Sequence, residues 1–208
     1  SDGSEAGTRM VADIQAGAGG SHPQYLAAMD GSLYFAADDG RSGIELWRSD
    51  GTAEGTRIVK DINPGAAHAL PSFLTAVGHT LFFSATDGVH GAELWKSDGT
   101  AAGTAMVIDI VAGPEPSAPA RLYAQQDSLL FAALDGVHGF ELWRTDGEAS
   151  GTHLLADLRP GPKGSFPHQF TPAGVALLFF AADDGNGDTS LWILEAGQIR
   201  RVALPTSR

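Results

Sequence analysis

Short apolar runs separated by glycine-bearing turns recur along the whole chain, and no run carries a helical period of useful length. One copy shows the pattern. Residues 71–77 lead into the turn Gly78-His79, and the run Leu81-Phe82-Phe83-Ser84-Ala85 then ends at Asp87-Gly88. Ala92-Glu93-Leu94-Trp95-Lys96 follows, is closed by Ser97-Asp98-Gly99-Thr100, and gives way to a last run over 104–110. Each run predicts a strand, and each Asp-Gly pair predicts a tight turn between antiparallel neighbours. The runs are apolar on both faces, as strands are when a sheet is packed between two others.

The same sentence is written four times. Its tryptophans, Trp47, Trp95, Trp143 and Trp192, lie 48, 48 and 49 residues apart. A fixed period of this size with four strands per copy predicts an all-β fold, a β-propeller of four blades with four antiparallel strands each. Solenoid rungs are usually shorter, and an open array of hairpins would leave the Trp and Phe side chains wet. A single repeat cannot bury its own faces, so the copies form one domain over 1–208, with units of about 1–48, 49–96, 97–144 and 145–208. Pro23, Pro71, Pro119 and Pro167 fall just before each first strand, where no ladder donor is needed. Asp13, Asp61, Asp109 and Asp157 recur near the end of each fourth strand, and recurrence in every copy favours bonding to turn amides over catalysis.

The strand count is uneven. Residues 8–14 read as a fourth strand with no first three, and 198–204 read as another, making seventeen strands where four blades need sixteen. A closed four-bladed ring is the favoured expectation, with 8–14 closing it against the last blade. The alternative is that 8–14 belongs to a neighbour outside these residues, leaving an edge able to pair with another chain.

Composition narrows the function. A net charge of −12 disfavours nucleic acid and anionic membranes as partners. No run of apolar residues is long enough to insert as a membrane-spanning helix, and no basic-then-apolar leader opens the sequence, so none is expected. The absence of cysteine removes disulfides, thiolate metal sites and cysteine nucleophiles.

The string E-L-W-[RK]-[ST]-D-G-T-x-x-G-T, at residues 45–56 and 93–104 and more loosely at 141–152, resembles tandem repeats of large bacterial surface or secreted proteins labelled hyalin-like. The resemblance spans nearly the whole chain. It implies an extracellular or cell-surface, propeller-like binding or adhesion module, and it carries no catalytic residues. The fourth copy departs from it, with Ser190 in place of the glutamate and no D-G-T after Trp192. The Ser/Thr-Asp-Gly-Thr turn also resembles a sialidase Asp-box, which is a structural turn; the arginine cluster that a sialic-acid carboxylate needs is not evident.

Candidate chemistry gathers on one rim. The connectors and the loops between second and third strands place five of the seven histidines there. Tyr25, Arg41, His90, His138 and Asn186 are the candidate ligand-binding residues. One metal ion shared by His90 and His138 is disfavoured because the two lie in different copies. An axial cation such as calcium or sodium, held by backbone carbonyls, is the one cofactor considered. No unique acid–base pair, Ser-His-Asp order or phosphate loop is evident, so no enzyme is expected. The sequence therefore predicts a noncatalytic, multivalent, lectin-like module for glycans, or else an adhesive protein-interaction repeat. The repeated tryptophans are expected in the core.

Overall fold

The computed structural model describes residues 2–203 and is built of four sheets, each of four antiparallel strands in sequence order. The first holds β1 (Gln24–Met29), β2 (Ser32–Asp38), β3 (Ile44–Ser49) and β4 (Arg57–Lys60). The second holds β5 (Ser72–Val77), β6 (Thr80–Thr86), β7 (Ala92–Ser97) and β8 (Ala105–Ile108). The third holds β9 (Ala120–Gln125), β10 (Ser128–Ala133), β11 (Glu141–Thr145) and β12 (His153–Ala156). The fourth holds β13 (His168–Pro172), β14 (Leu177–Asp183), β15 (Thr189–Glu195) and β16 (Gln198–Arg201). The all-β, propeller-like architecture is therefore as the pattern predicts.

Two hairpins show how local chemistry sets the strands. Asp30-Gly31 joins β1 to β2 with φ of 50° and 73°, and Ala196-Gly197 joins β15 to β16 with 48° and 78°. Positive φ at both central residues matches the right-handed twist of the flanking strands.

Sheets stack face to face through three apolar seams. Tyr34 and Leu46 of the first blade meet Phe83 and Trp95 of the second. Phe82 and Leu94 meet Phe131 and Trp143, and Leu130 and Leu142 meet Phe180 with half-buried Trp192. Each Phe-Trp pair thus looks back at the preceding blade. The tryptophans are core, as expected, and Trp47, Trp95 and Trp143 are buried.

The closed ring is corrected to an arc. First strands pack in a row, β1 on β5 and β5 on β9, with a thinner contact of β9 on β13, and any contact between β13 and β1 is smaller still. The outermost faces differ accordingly. Leu33 of the first blade is 37% exposed although its counterparts Leu81, Leu129 and Leu178 are at most 1% exposed. Leu191 of the fourth blade is 39% exposed against 0% for Leu46, Leu94 and Leu142. Residues 8–14 form no strand, so the seventeenth strand is absent. Ile14 packs on Phe35, Ala37 and Trp47 of the first blade, not on the fourth.

The D-G-T turns work as hydrogen-bonded boxes. Asp98 Oδ1 accepts Thr100 N (2.8 Å) and Thr100 Oγ1 (2.7 Å), and Thr100 Oγ1 in turn accepts Gly103 N (3.0 Å). In the third copy Glu148 replaces that threonine and removes the hydroxyl acceptor. Gly151 N turns instead to Glu148 O (3.1 Å), and a single 3-10 turn forms at Ala149–Gly151. The recurrent fourth-strand aspartates also bond turn amides, Asp61 to Gly65 N (3.2 Å) and Asp109 to Gly113 N (3.1 Å).

Candidate functional site

Every first strand carries a bulge at its second residue. In β1 the pairing steps from Gln24 opposite Ala36 to Ala27 opposite Tyr34, so Tyr25 and Leu26 face Phe35 alone. The same step recurs at Phe73, Arg121 and Gln169. These four residues hold φ of 54°, 57°, 57° and 56°, a left-handed conformation that costs a side-chain-bearing residue about 1–2 kcal/mol. Bulges bend a strand and re-aim a side chain, and strain of this kind gathers at functional positions. All four side chains are exposed, on the row of strands where the blades meet.

The residue before each recurrent proline is strained as well: His22, Leu70, Ala118 and Phe166 have φ of 45°, 53°, 49° and 51°. At the first blade junction these features enclose a cleft of about 270 Å3 lined by His22, Gln24 and Tyr25 on one side and Leu70, Pro71 and Ser72 on the other. The Tyr25 and Phe73 rings lie 6.0 Å apart and tilted at 46°. Tyr25 is 47% exposed and Leu70 is 55% exposed, so the cleft offers an aromatic and an aliphatic face beside the polar ends of His22 and Gln24. The corresponding positions at the next junctions differ in chemistry, with Arg121 and Gln169 in place of the aromatic pair.

The other sequence-predicted residues lie apart from this cleft. His90 and His138 brace their own loops: His90 Nδ1 lies 2.8 Å from Asp87 Oδ2, and His138 Nδ1 lies 2.6 Å from Asp135 Oδ2. The same aspartates accept the amides of Val89 and His90, and of Val137 and His138. Arg41 sits in the matching loop of the first copy, its amide bonded to Asp39 Oδ1 (2.9 Å), beside a second cleft lined by Ile14, Gln15 and Trp47. Asn186 is exposed, with its amide on Asp184 Oδ1 (3.0 Å). Among the described residues no hydrogen bond or ring contact joins any two of the five, and no three His, Asp or Glu side chains converge as a metal-ligand set. Leu70, Phe73, Arg121 and Gln169 were not among the candidates. Their signal was available: they occupy fixed places around the recurrent proline, yet the residue type changes from copy to copy.

Beneath this rim lie three buried glutamates. Glu45, Glu93 and Glu141, the first residues of the E-L-W strings, are 0% exposed and each accepts bonds from the connector that leads to the next blade. Glu45 accepts Ile62 N (2.8 Å), Asn63 N (3.3 Å) and Ala69 N (3.2 Å). Glu93 accepts Ser117 N (2.7 Å), Ile110 N (3.2 Å) and the Ser117 hydroxyl. Glu141 accepts Leu158 N (2.9 Å), Arg159 N (3.3 Å) and Ser165 Oγ (2.6 Å). Burial pushes all three carboxyls upward against the pull of these donors. Glu45 rises from its ordinary 4.5 to about 7. Its connector residue is Ala69, which has no hydroxyl to stabilise the charge.

Stability should therefore fall as the solution turns alkaline. Between pH 4.5 and about 7 the folded chain keeps on Glu45 a proton that the unfolded chain has released, so stability declines across that window. The full interval corresponds to about 3 kcal/mol, at about 1.4 kcal/mol per pKa unit. His90 and His138 act in the same sense. The bond to Asp87 or Asp135 raises each, so their contribution is complete below 6.5 and is lost as pH rises through the raised folded value. Partial burial pushes Asp87 and Asp135 up, but the histidine and amide bonds outweigh it and hold both below the ordinary carboxylate range. Their contribution disappears in strong acid. The thermal midpoint is expected to peak near about pH 4.5, to fall through pH 7 toward pH 8 and to drop again below about pH 4. Glu45→Gln should flatten the slope between pH 4.5 and 7. A midpoint rising steadily from pH 5.5 to 8 would contradict this assignment.

Solved structures resemble the chain in three dimensions. No protein-family model and no curated protein sequence matches it. A puromycin hydrolase matches at a TM-score of 0.60 and 20% identity, over 95% of this chain and 33% of that one. A puromycin-hydrolyzing peptidase of Mycobacterium tuberculosis matches at 0.57 and 12% identity, over 89% and 30%. TolB from Acinetobacter baumannii matches at 0.51 and 14% identity, over 87% and 43%. The likeness is one of fold. This chain spans about a third of the length of the hydrolases, and the match extends the propeller-like assignment without carrying their chemistry to it.

Proposed function

We propose that this chain is a noncatalytic, glycan-binding module of a secreted or cell-surface protein, with its principal site on the bulged edge at the first blade junction. The observation that carries the reading is the row of exposed left-handed residues, Tyr25, Phe73, Arg121 and Gln169. Backbone strain held at exposed side chains is characteristic of ligand-binding positions. The tilted Tyr25–Phe73 pair suits the apolar face of a sugar ring, and His22 and Gln24 supply hydrogen-bonding groups in the cleft beside it. Recurrent carboxylates near the rim serve the fold, the E-L-W glutamates through connector amides and Asp87 and Asp135 through histidines. Because the four bulge positions differ, the reading is of one principal site at the first junction rather than four alike.

A glycan array followed by calorimetric titration tests it. Tyr25→Ala is expected to weaken the best oligosaccharide by at least about tenfold, or 1.4 kcal/mol, with a loss of stability of no more than about 1 kcal/mol because the half-exposed ring touches only Phe73 among the described aromatic rings. Free monosaccharide should compete. An array without hits, or a Tyr25→Ala variant that binds as well as the parent, would remove the glycan reading.

A further inference from the structure

The first fourteen residues carry the marks of an interface with one side missing. Asp2, Ser4 and Gly7 build the same box as Asp50, Thr52 and Gly55: Ser4 N donates to Asp2 Oδ1 (2.9 Å), and Gly7 N donates to Ser4 Oγ (2.9 Å). Residues 9–12 align with β4, β8 and β12 of the first three blades, yet they form no strand. Met10 is 75% and Val11 45% exposed, whereas Val59 and Val107, the counterparts of Val11, are 7% exposed. The connector beyond is already docked forward, because Asp38 N donates to Ser21 O (3.0 Å), as Leu134 N does to Ser117 O and Asp183 N to Ser165 O. Backward it is unfilled. In the three internal junctions a buried glutamate accepts the amide at the Ile62, Ile110 or Leu158 position and a donor from Ala69, Ser117 or Ser165. The equivalent donors here are Ile14 N and the amide and hydroxyl of Ser21, and among the described residues no acceptor reaches any of them.

We infer that this end of the arc is a docking surface for another blade of the same repeat, a three-stranded sheet whose last strand is of the E-L-W type and whose glutamate takes the Ile14 and Ser21 donors. Residues 8–14 add to it as the fourth strand, covering Met10 and Val11, and the sheet covers Leu33. A second copy of this chain does not fit. Glu45, Glu93 and Glu141 are already engaged, and the one outward-facing blade at the opposite end carries Ser190 where the glutamate is required. Head-to-tail stacking of two copies would close the apolar seam and leave the Ile14 and Ser21 donors orphaned.

Placing a second copy of residues 23–48 directly before Ser1 recreates the occupant in sequence register, because Ser49, which follows that segment in the first blade, corresponds to Ser1. Amide hydrogen exchange is read at Ile14 and Ser21 in the extended and the parent chain. The extended chain is expected to slow both amides by about 100-fold or more, as local opening gives way to cooperative opening. An Ala in place of the glutamate of the added segment should restore fast exchange at both. Unchanged exchange overturns the proposal, as does an added segment that stays unstructured, since the surface then fails to order a blade. Concentration-dependent dimerisation of the parent chain that slows the same two amides also overturns it, in favour of a second copy.

Discussion

Replacing Glu93 or Glu141 by alanine is expected to remove about 3–5 kcal/mol of stability, as large as the loss of a buried ionic partner. The carboxylate is fully enclosed and serves donors from two directions, the end of its own fourth strand and the connector arriving at the next blade. Alanine strands those donors in a place water does not reach, at about 1–3 kcal/mol for each unsatisfied group. The connector then loses its anchor. Glutamine should lie between parent and alanine, because its carbonyl keeps one set of donors while its amide opposes the other. Glu148→Ala is the internal control, since that side chain is exposed and its bond to Lys96 Nζ (2.7 Å) contributes within about 1 kcal/mol. Urea unfolding of the four proteins measures the order. A Glu93→Ala chain as stable as the Glu148→Ala chain would show that the connectors are held by packing alone.

Much of the fold was legible because it is repeated. The period, the four strands of each copy and the core placement of the tryptophans follow from apolar runs and Asp-Gly turns, which are local properties. What was not legible depends on the third dimension. A bulge leaves no mark in hydrophobicity: Tyr25 and Phe73 read as ordinary strand residues, and only the pairing register shows them turned out. Arc and ring share one repeat, since closure depends on whether β13 reaches β1, which is a matter of accumulated blade rotation. The histidines illustrate the opposite error. Their location on one rim was foreseen, but spacing by three from an aspartate makes His90 and His138 partners of their own turns before they are partners of a ligand. The glutamates of the E-L-W string recur in three copies, but their reach across blades is hidden in the sequence because the bonded atoms lie 17 to 24 residues away.

The second large effect is expected at Gly139, where alanine should cost about 3 kcal/mol or more by combining backbone strain with overpacking. Gly139 holds φ of 70°, and a Cβ there would lie 2.7 Å from Gly164 Cα and 2.8 Å from Lys163 C. Those atoms are backbone, so no side chain can swing away. The crossing is reciprocal, because a Cβ on Gly164 (φ 72°) would meet Phe140 N and O. Ser165 N and Phe166 N both donate to Phe140 O, at 2.9 and 3.0 Å. Forcing the two strands of chain apart therefore loosens the pair of bonds that brings Ser165 under Glu141 and the Phe140 and Phe166 rings within 5.4 Å. Gly136→Ala separates the two contributions. Its φ of 80° is equally unfavourable, but nothing lies within 4 Å of the added carbon, so only the conformational cost of about 1 kcal/mol should appear. Thermal or urea unfolding of both variants tests the difference, and equal losses would mean that the connector yields to Gly139→Ala without resistance.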